Sequence, residues 1–215
     1  MPRPDVTLRE RLQHVYWIGG GSAAGKSIVA RRIAAKNGFR VYATDDVMTD
    51  HARRSTLEDS PLLHTFMAMD MDERWVNRSP KLMLKTFHWF QGEVFDLIIE
   101  DLLRLPHKPG VIAEGFRLLP SLVKPLLSVT DHAVWLLPTP DFRQSVVESR
   151  GGLDWGFLAK TSDPKRALSN LLERDRMFTD FLREETTRLE LRAIHVDNTM
   201  TENDLVQRVS EMFEL

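Results

Sequence analysis

The chain runs to 215 residues without a single cysteine. That absence excludes disulfide staples, thiolate nucleophiles and zinc–thiolate centres together, and it fits a reducing compartment. No apolar run approaches the ~18 residues that would span a bilayer. The opening segment MPRPDVTLRERLQH is charged and lacks the apolar centre of a secretion signal, so the expected location is the cytoplasm. No block of one charge stands out: 29 Lys and Arg are interleaved with 31 Asp and Glu, for a net charge of −2. Neither nucleic acid nor a membrane surface is therefore an expected partner. The seven histidines are scattered without metal-ligand spacing. Internal repeats, low-complexity linkers and an Asn-Lys-x-Asp guanine-reading segment are missing too. What is left is ordinary globular composition, 42% hydrophobic and 28% charged, enough to bury one substantial core.

Against that plain background one segment is specific. Residues 20–27 read GGSAAGKS, a complete Gly-x-x-x-x-Gly-Lys-Ser pattern. It follows the apolar run Val15-Tyr16-Trp17-Ile18, which reads as a buried strand, and it opens into a helical stretch beginning at Ile28. The glycines Gly20, Gly21 and Gly25 let the backbone wrap closely around a polyphosphate. Amide groups of Ser22, Ala23 and Ala24 and the positive end of the helix then point at it. Lys26 can reach the β- and γ-phosphates, and the Ser27 hydroxyl can ligate Mg²⁺. The expected ligands are therefore ATP, or another nucleoside triphosphate, with Mg²⁺.

The rest of the chain alternates. Thr7 with Glu10 has capping-box spacing for a short first helix. Asn37-Gly38 is a helix stop, and Phe39 to Ala43 a second strand ending in Thr44-Asp45-Asp46. Residues 47–78 read as a helical insertion outside the core, and Ser79-Pro80 starts a helix expected to run to about Leu105. Val111 to Gly115 and His132 to Leu137 are further strands, Pro138 and Pro140 opening the next helix. Residues 151–163 carry three glycines and read as a mobile loop. Asp163-Pro164 caps a long helix, followed by a strand over 192–196 and a closing helix over 201–213. Five short apolar strands alternating with helices predict an α/β fold, a parallel sheet covered on both faces by right-handed crossovers. Ligands of such sheets collect beyond the carboxyl ends of the strands. That rule places the phosphate loop, Asp45-Asp46, Glu114 and Pro138-Thr139 on one rim.

Phosphoryl transfer asks the protein for in-line positioning, charge neutralisation and, for a neutral hydroxyl, a proton acceptor. Asp45 is the preferred base and acceptor-binding group. Asp46 either shares that pocket or caps the helix through Met48. Glu114 ends a strand, where a carboxylate can hold Mg²⁺ directly or through water. Arg117, three residues on, can clamp the acceptor or a phosphate. Arg143, Arg150, Lys160, Arg166, Arg174 and Arg176 flank or follow the glycine-rich segment. A hinged lid could bring such charges over the transferring group. Arg174 as a catalytic group and Arg150 as a substrate contact are the two selected. His51 and Arg53-Arg54 could line the acceptor pocket, while Trp75, Trp89 and Phe90 read as core.

With these residues in place, the layout resembles the nucleoside-monophosphate-kinase-like branch of the P-loop kinases, a branch that includes adenylate, shikimate and gluconate kinases and antibiotic phosphotransferases. The likeness is carried mainly by GGSAAGKS. Asp45 stands where small-molecule kinases of this group have an acceptor-binding Asp. Ala113-Glu114-Gly115-Phe116-Arg117 is similar to the Asp-Gly-Phe-Pro-Arg segment of adenylate kinases, with Glu for Asp and no proline. The resemblance implies one domain with its core in 12–46, 106–142 and 190–215, an acceptor-binding insertion at about 47–105 and a lid at about 143–176. The leading expectation is an ATP- and Mg²⁺-dependent kinase acting on a hydroxyl of a metabolite, nucleoside or antibiotic. A nucleoside monophosphate kinase and a non-catalytic ATP-binding regulatory module are the alternatives.

Overall fold

The computed structural model describes residues 4–215, with side chains described from Leu8 onward. Helix α1 (Pro4–Leu12) leads into β1 (Val15–Gly20), α2 (Lys26–Asn37) and β2 (Arg40–Ala43). Four short helices follow: α3 (Met48–Arg54), α4 (Pro61–Ala68), α5 (Met71–Trp75) and α6 (Pro80–Thr86). Next come α7 (Phe95–Arg104), β3 (Val111–Glu114), α8 (Pro120–Val123), β4 (Ala133–Pro138) and α9 (Pro140–Ser149). The chain closes with α10 (Pro164–Arg188), β5 (Arg192–Val196) and α11 (Glu202–Met212). Among the described residues no helix is long and apolar enough to cross a membrane.

The five strands form one parallel sheet in the order β2-β3-β1-β4-β5. Strands this apolar are stable only when both faces are covered. Alternation along β4 shows how that is met. Ala133, Trp135 and Leu137 face a core shared with Ile98 of α7, Val123 of α8 and Phe178 of α10. Val134 and Leu136 face a second core with Ile33 of α2 and Val209 of α11. The register sets Ile18 of β1 and Ala43 of β2 on either side of Glu114, and Gly20 beside Leu136. The strand ends therefore share one rim.

Local departures from the sequence-based expectations have physical causes. The first helix begins at Pro4, so Thr7 lies inside it rather than at its cap. The helix opened by Ser79, whose hydroxyl accepts from the Leu82 amide, stops at Thr86 and does not continue to Leu105. Phe87, His88, Trp89 and Phe90 are all buried. Four consecutive residues of an α-helix fan through about 300°, so one continuous helix could not turn them all inward. The chain instead makes a 3₁₀ turn over His88–Gln91 and restarts after Val94, at φ 59°. Residues 47–78 also join the core, since Leu63, Trp75 and Val76 are buried in it.

Candidate active site

β1 delivers the chain to Gly20, where the backbone has φ 130° and a Cβ would stand 2.1 Å from the Leu136 carbonyl oxygen. Only glycine fits that approach. The turn ends at Gly25, itself at φ 81°, and α2 begins at Lys26 with no side chain capping it. The positive end of α2 is thus left open to a ligand. Lys26 folds back over the loop, its Nζ donating to the Gly21 carbonyl at 2.7 Å. Burial pulls the Lys26 ammonium below its usual value, while Glu114, Asp45 and Asp175 act to hold it charged.

Two carboxylates face this lysine from neighbouring strand ends. Glu114 is buried, and burial raises its carboxyl, against the pull of Lys26 and a hydrogen bond from Ser27. Glu114 and Ser27 are a matched pair of hard oxygen donors, the set that Mg²⁺ takes when phosphate oxygens and water complete its shell. Among the described residues no group of three or more His, Asp or Glu is disposed to hold a metal by itself. Asp45 opens onto the cleft. Surrounding protein raises its carboxyl above the ordinary value, with Lys26 and Arg117 pulling it down. Asp46 is exposed and does not line the cleft; nor does it cap α3, whose N-cap is Val47.

The cleft has a volume of about 430 Å³ and is lined by Ser22 to Ile28, Asp45, Glu114 and Arg150. Its outer wall is apolar: Met48, Phe116, Trp155 and Phe157. A second pocket of about 350 Å³ shares Ala23, Gly25, Ile28 and Arg150 with it, and is walled by Phe142, Val146, Met200 and Leu205. The phosphate-loop residues and two carboxylates thus line one space that is bordered by two apolar walls. A flat base suits one wall and an acceptor body the other. The wall residues escaped sequence reasoning because no motif marks them. Trp155 and Phe157, within the glycine-rich segment, were the one available signal.

The arginines divide. Arg150 stands at the border of both pockets, with its guanidinium 5.6 Å from the Trp155 ring centre. Arg176 is exposed and occupied by Glu173 and Asp180. Arg174 is 4% exposed and does not line the cleft. Its Nε and Nη2 both donate to Asp175, and the rings of Trp75, Phe87 and Phe90 surround it at 4.7–5.3 Å. One turn further along α10, the Thr179 hydroxyl lies 2.8 Å from where a Cβ on Gly21 would be. Arg143 is buried there too, donating to that same hydroxyl. Nη1 of Arg174 and Nε of Arg143 have no partner among the described residues. Arg117 is not placed as the clamp its sequence position suggests. It is buried beneath the cleft without lining it, over the Trp89 ring, and burial lowers its pKa to about 10.

The chain is an α/β protein whose five-stranded parallel sheet carries the Gly-x-x-x-x-Gly-Lys-Ser loop at the end of β1. No protein-family model matches the chain, and no curated protein matches it. Among solved structures it is similar to a deoxyadenosine kinase from M. mycoides, described with bound dATP, at 12% identity and a TM-score of 0.50, over 94% of this chain and 99% of that one. An uncharacterized protein from Eubacterium ventriosum aligns at 14% identity and a TM-score of 0.48, over 94% and 98% of the two chains. At such identities the likeness to the kinase speaks for the fold: a five-stranded parallel sheet wrapped by helices, resembling that of a nucleoside kinase.

Proposed function

We propose that this protein is an ATP- and Mg²⁺-dependent phosphotransferase that moves the γ-phosphoryl group of ATP to a hydroxyl of a small molecule, a nucleoside being the first candidate. The observation that carries the reading is the shared cleft: Asp45 opens into the same space as Lys26 and the loop amides. In this reading the purine lies in the recess of Phe142 and Met200, and the triphosphate runs along Ser22 to Ser27. Ser27 and Glu114 would hold Mg²⁺, which when bound would supply neutralising charge to the triphosphate. The acceptor packs among Met48, Phe116, Trp155 and Phe157. Its hydroxyl proton passes to Asp45 as its oxygen bonds to the γ-phosphorus. The bond from that phosphorus to the bridging oxygen breaks, and ADP leaves. Lys26 and Arg150 offset charge along the phosphates. Residues 47–105 supply the acceptor side and 143–176 the lid.

The fold likeness to a deoxyadenosine kinase supports beginning with nucleosides. A second reading, a nucleoside monophosphate as acceptor, is favoured by the unpartnered N–H groups of Arg143 and Arg174. A phosphate brings its own anionic nucleophile and would engage such arginines. ATP consumption across deoxyadenosine, other nucleosides, hydroxylated metabolites and nucleoside monophosphates tests both. Lys26→Ala and Asp45→Asn should each abolish transfer to a hydroxyl, and Asp45→Asn should leave ATP affinity intact. Full turnover by Asp45→Asn would remove the base assignment, and activity with monophosphates alone would select the second reading. ATP binding without transfer to any acceptor would instead indicate a regulatory module.

A further inference from the structure

Asp45 directly follows Thr44 just past the end of β2, and its carbonyl accepts from the Met48 amide at 3.4 Å. Thr44 is wholly buried, with its N–H donating to the Glu114 carbonyl at 2.9 Å. Its hydroxyl crowds Gly115, where a Cβ would come within 1.8 Å. Its carbonyl accepts from Arg117 Nη1 at 3.1 Å. Arg117 is a buried cation that forms no ion pair among the described residues. Its Nη2 lies 2.8 Å from Nδ1 of His51, whose ring is fully buried. A guanidinium can only donate, so Nδ1 must be the acceptor. The proton of the neutral ring therefore sits on Nε2, which donates to Asp101 at 2.7 Å. Asp101 is itself held by the Tyr42 hydroxyl at 2.9 Å and by Arg54 at 2.9 Å. One carboxylate on α7 thus selects the tautomer of a histidine on α3. The other tautomer would aim an N–H at the guanidinium.

We propose that His51, locked as its Nε2–H tautomer by Asp101, is a positioning residue for Asp45, acting through Arg117 and the Thr44 carbonyl. The proposal rests on the reading of Asp45 as the proton acceptor. It gives this cluster a role that mere packing would not need. A base displaced by about an ångström can lose up to about a hundredfold in rate, and a buried chain of directional bonds prevents that displacement.

The experiment uses the full chain, with water as the acceptor probe: acceptor-independent hydrolysis of Mg·ATP, alongside amide hydrogen exchange at residues 45–48. Affinity for a non-hydrolysable ATP analogue is measured by calorimetry. His51→Ala is expected to speed exchange at these amides and to slow hydrolysis, each by about tenfold or more, with analogue affinity unchanged. His51→Asn, whose side-chain oxygen can accept where Nδ1 does, should recover most of both losses. In the unaltered protein, ring ¹⁵N shifts of His51 should report a neutral Nε2–H imidazole. An Nδ1–H or doubly protonated ring at neutral pH would overturn the proposal, and this reading requires no variant to fold. Unchanged exchange in His51→Ala would overturn it, as would equal losses in the Ala and Asn variants or a parallel loss of analogue affinity. Undiminished hydrolysis by Asp45→Asn would remove the base reading instead, a result distinct from failure of the relay.

Discussion

A carboxylate that is to take a proton has to arrive ionised, and at Asp45 the surroundings pull in opposite directions. Enclosure by protein raises its carboxyl above the ordinary 3.8, while Lys26 and Arg117 lower it. Because the net shift is upward, the active ionised form is lost as pH falls through a value above 3.8. The acid limb of the transfer rate should lie above that ordinary value. Arg117→Met, which removes a cation acting on Asp45, should move the limb further up. A pH–rate profile reads both, and a limb that Arg117→Met leaves in place would contradict the electrostatic coupling. At this scale much was readable in the sequence. Gly20 to Ser27, Asp45 and Glu114 are marked by spacing and by position at the ends of apolar runs. Arg117 and Arg174 were not readable as buried. A guanidinium on a helix or loop has the same sequence signature whether it meets solvent or an aromatic cage.

Elements behave according to how far their signals reach. The strand–loop–helix unit from β1 to α2 is a local pattern, and so are the caps at Asp163, whose carboxylate accepts from the Arg166 amide, and at Thr201 with Asp204. The break between α6 and α7 is different, since it follows from where four successive bulky side chains have to go. The segment between α9 and α10 folds into short turns that set Trp155 and Phe157 on the cleft wall, with the Phe157 ring tilted against that of Trp75 of α5 at 4.6 Å between centres. If this segment closes on nucleotide, Trp155 changes environment. Mg·ATP should shift the emission of the protein, and Trp155→Phe should remove most of that shift although four other tryptophans remain of the five. An unaltered spectrum at saturating nucleotide would count against closure.

For the molecule as a whole, the two cores on opposite sheet faces set stability, and a buried histidine, His88, ties part of that stability to pH. His88 is 2% exposed, and burial together with the fields of Arg117, Arg174 and Arg74 depresses its pKa from 6.5 to about 3. The unfolded chain protonates this ring near 6.5 and the folded chain does not. Stability from the neutral ring is therefore full above about pH 6.5 and is lost as pH falls toward 3. The loss has a slope of up to about 1.4 kcal/mol per pH unit. Urea unfolding at pH 7 and pH 4.5 should show the drop, and His88→Met should reduce it. An equal drop in both proteins would assign the acid sensitivity to other groups.

The phosphate loop, the strand alternation and the two strand-end carboxylates were determined by the sequence itself, because each is a short-range pattern whose physical cause lies within a few residues. The sheet order, the paired recesses and the fates of the arginines were decided only by tertiary structure. Arg117 meets Thr44 across 73 positions and His51 across 66. Whether a charge is solvated, caged or used as a strut depends on such distant partners, which become neighbours only when the sheet brings their elements together.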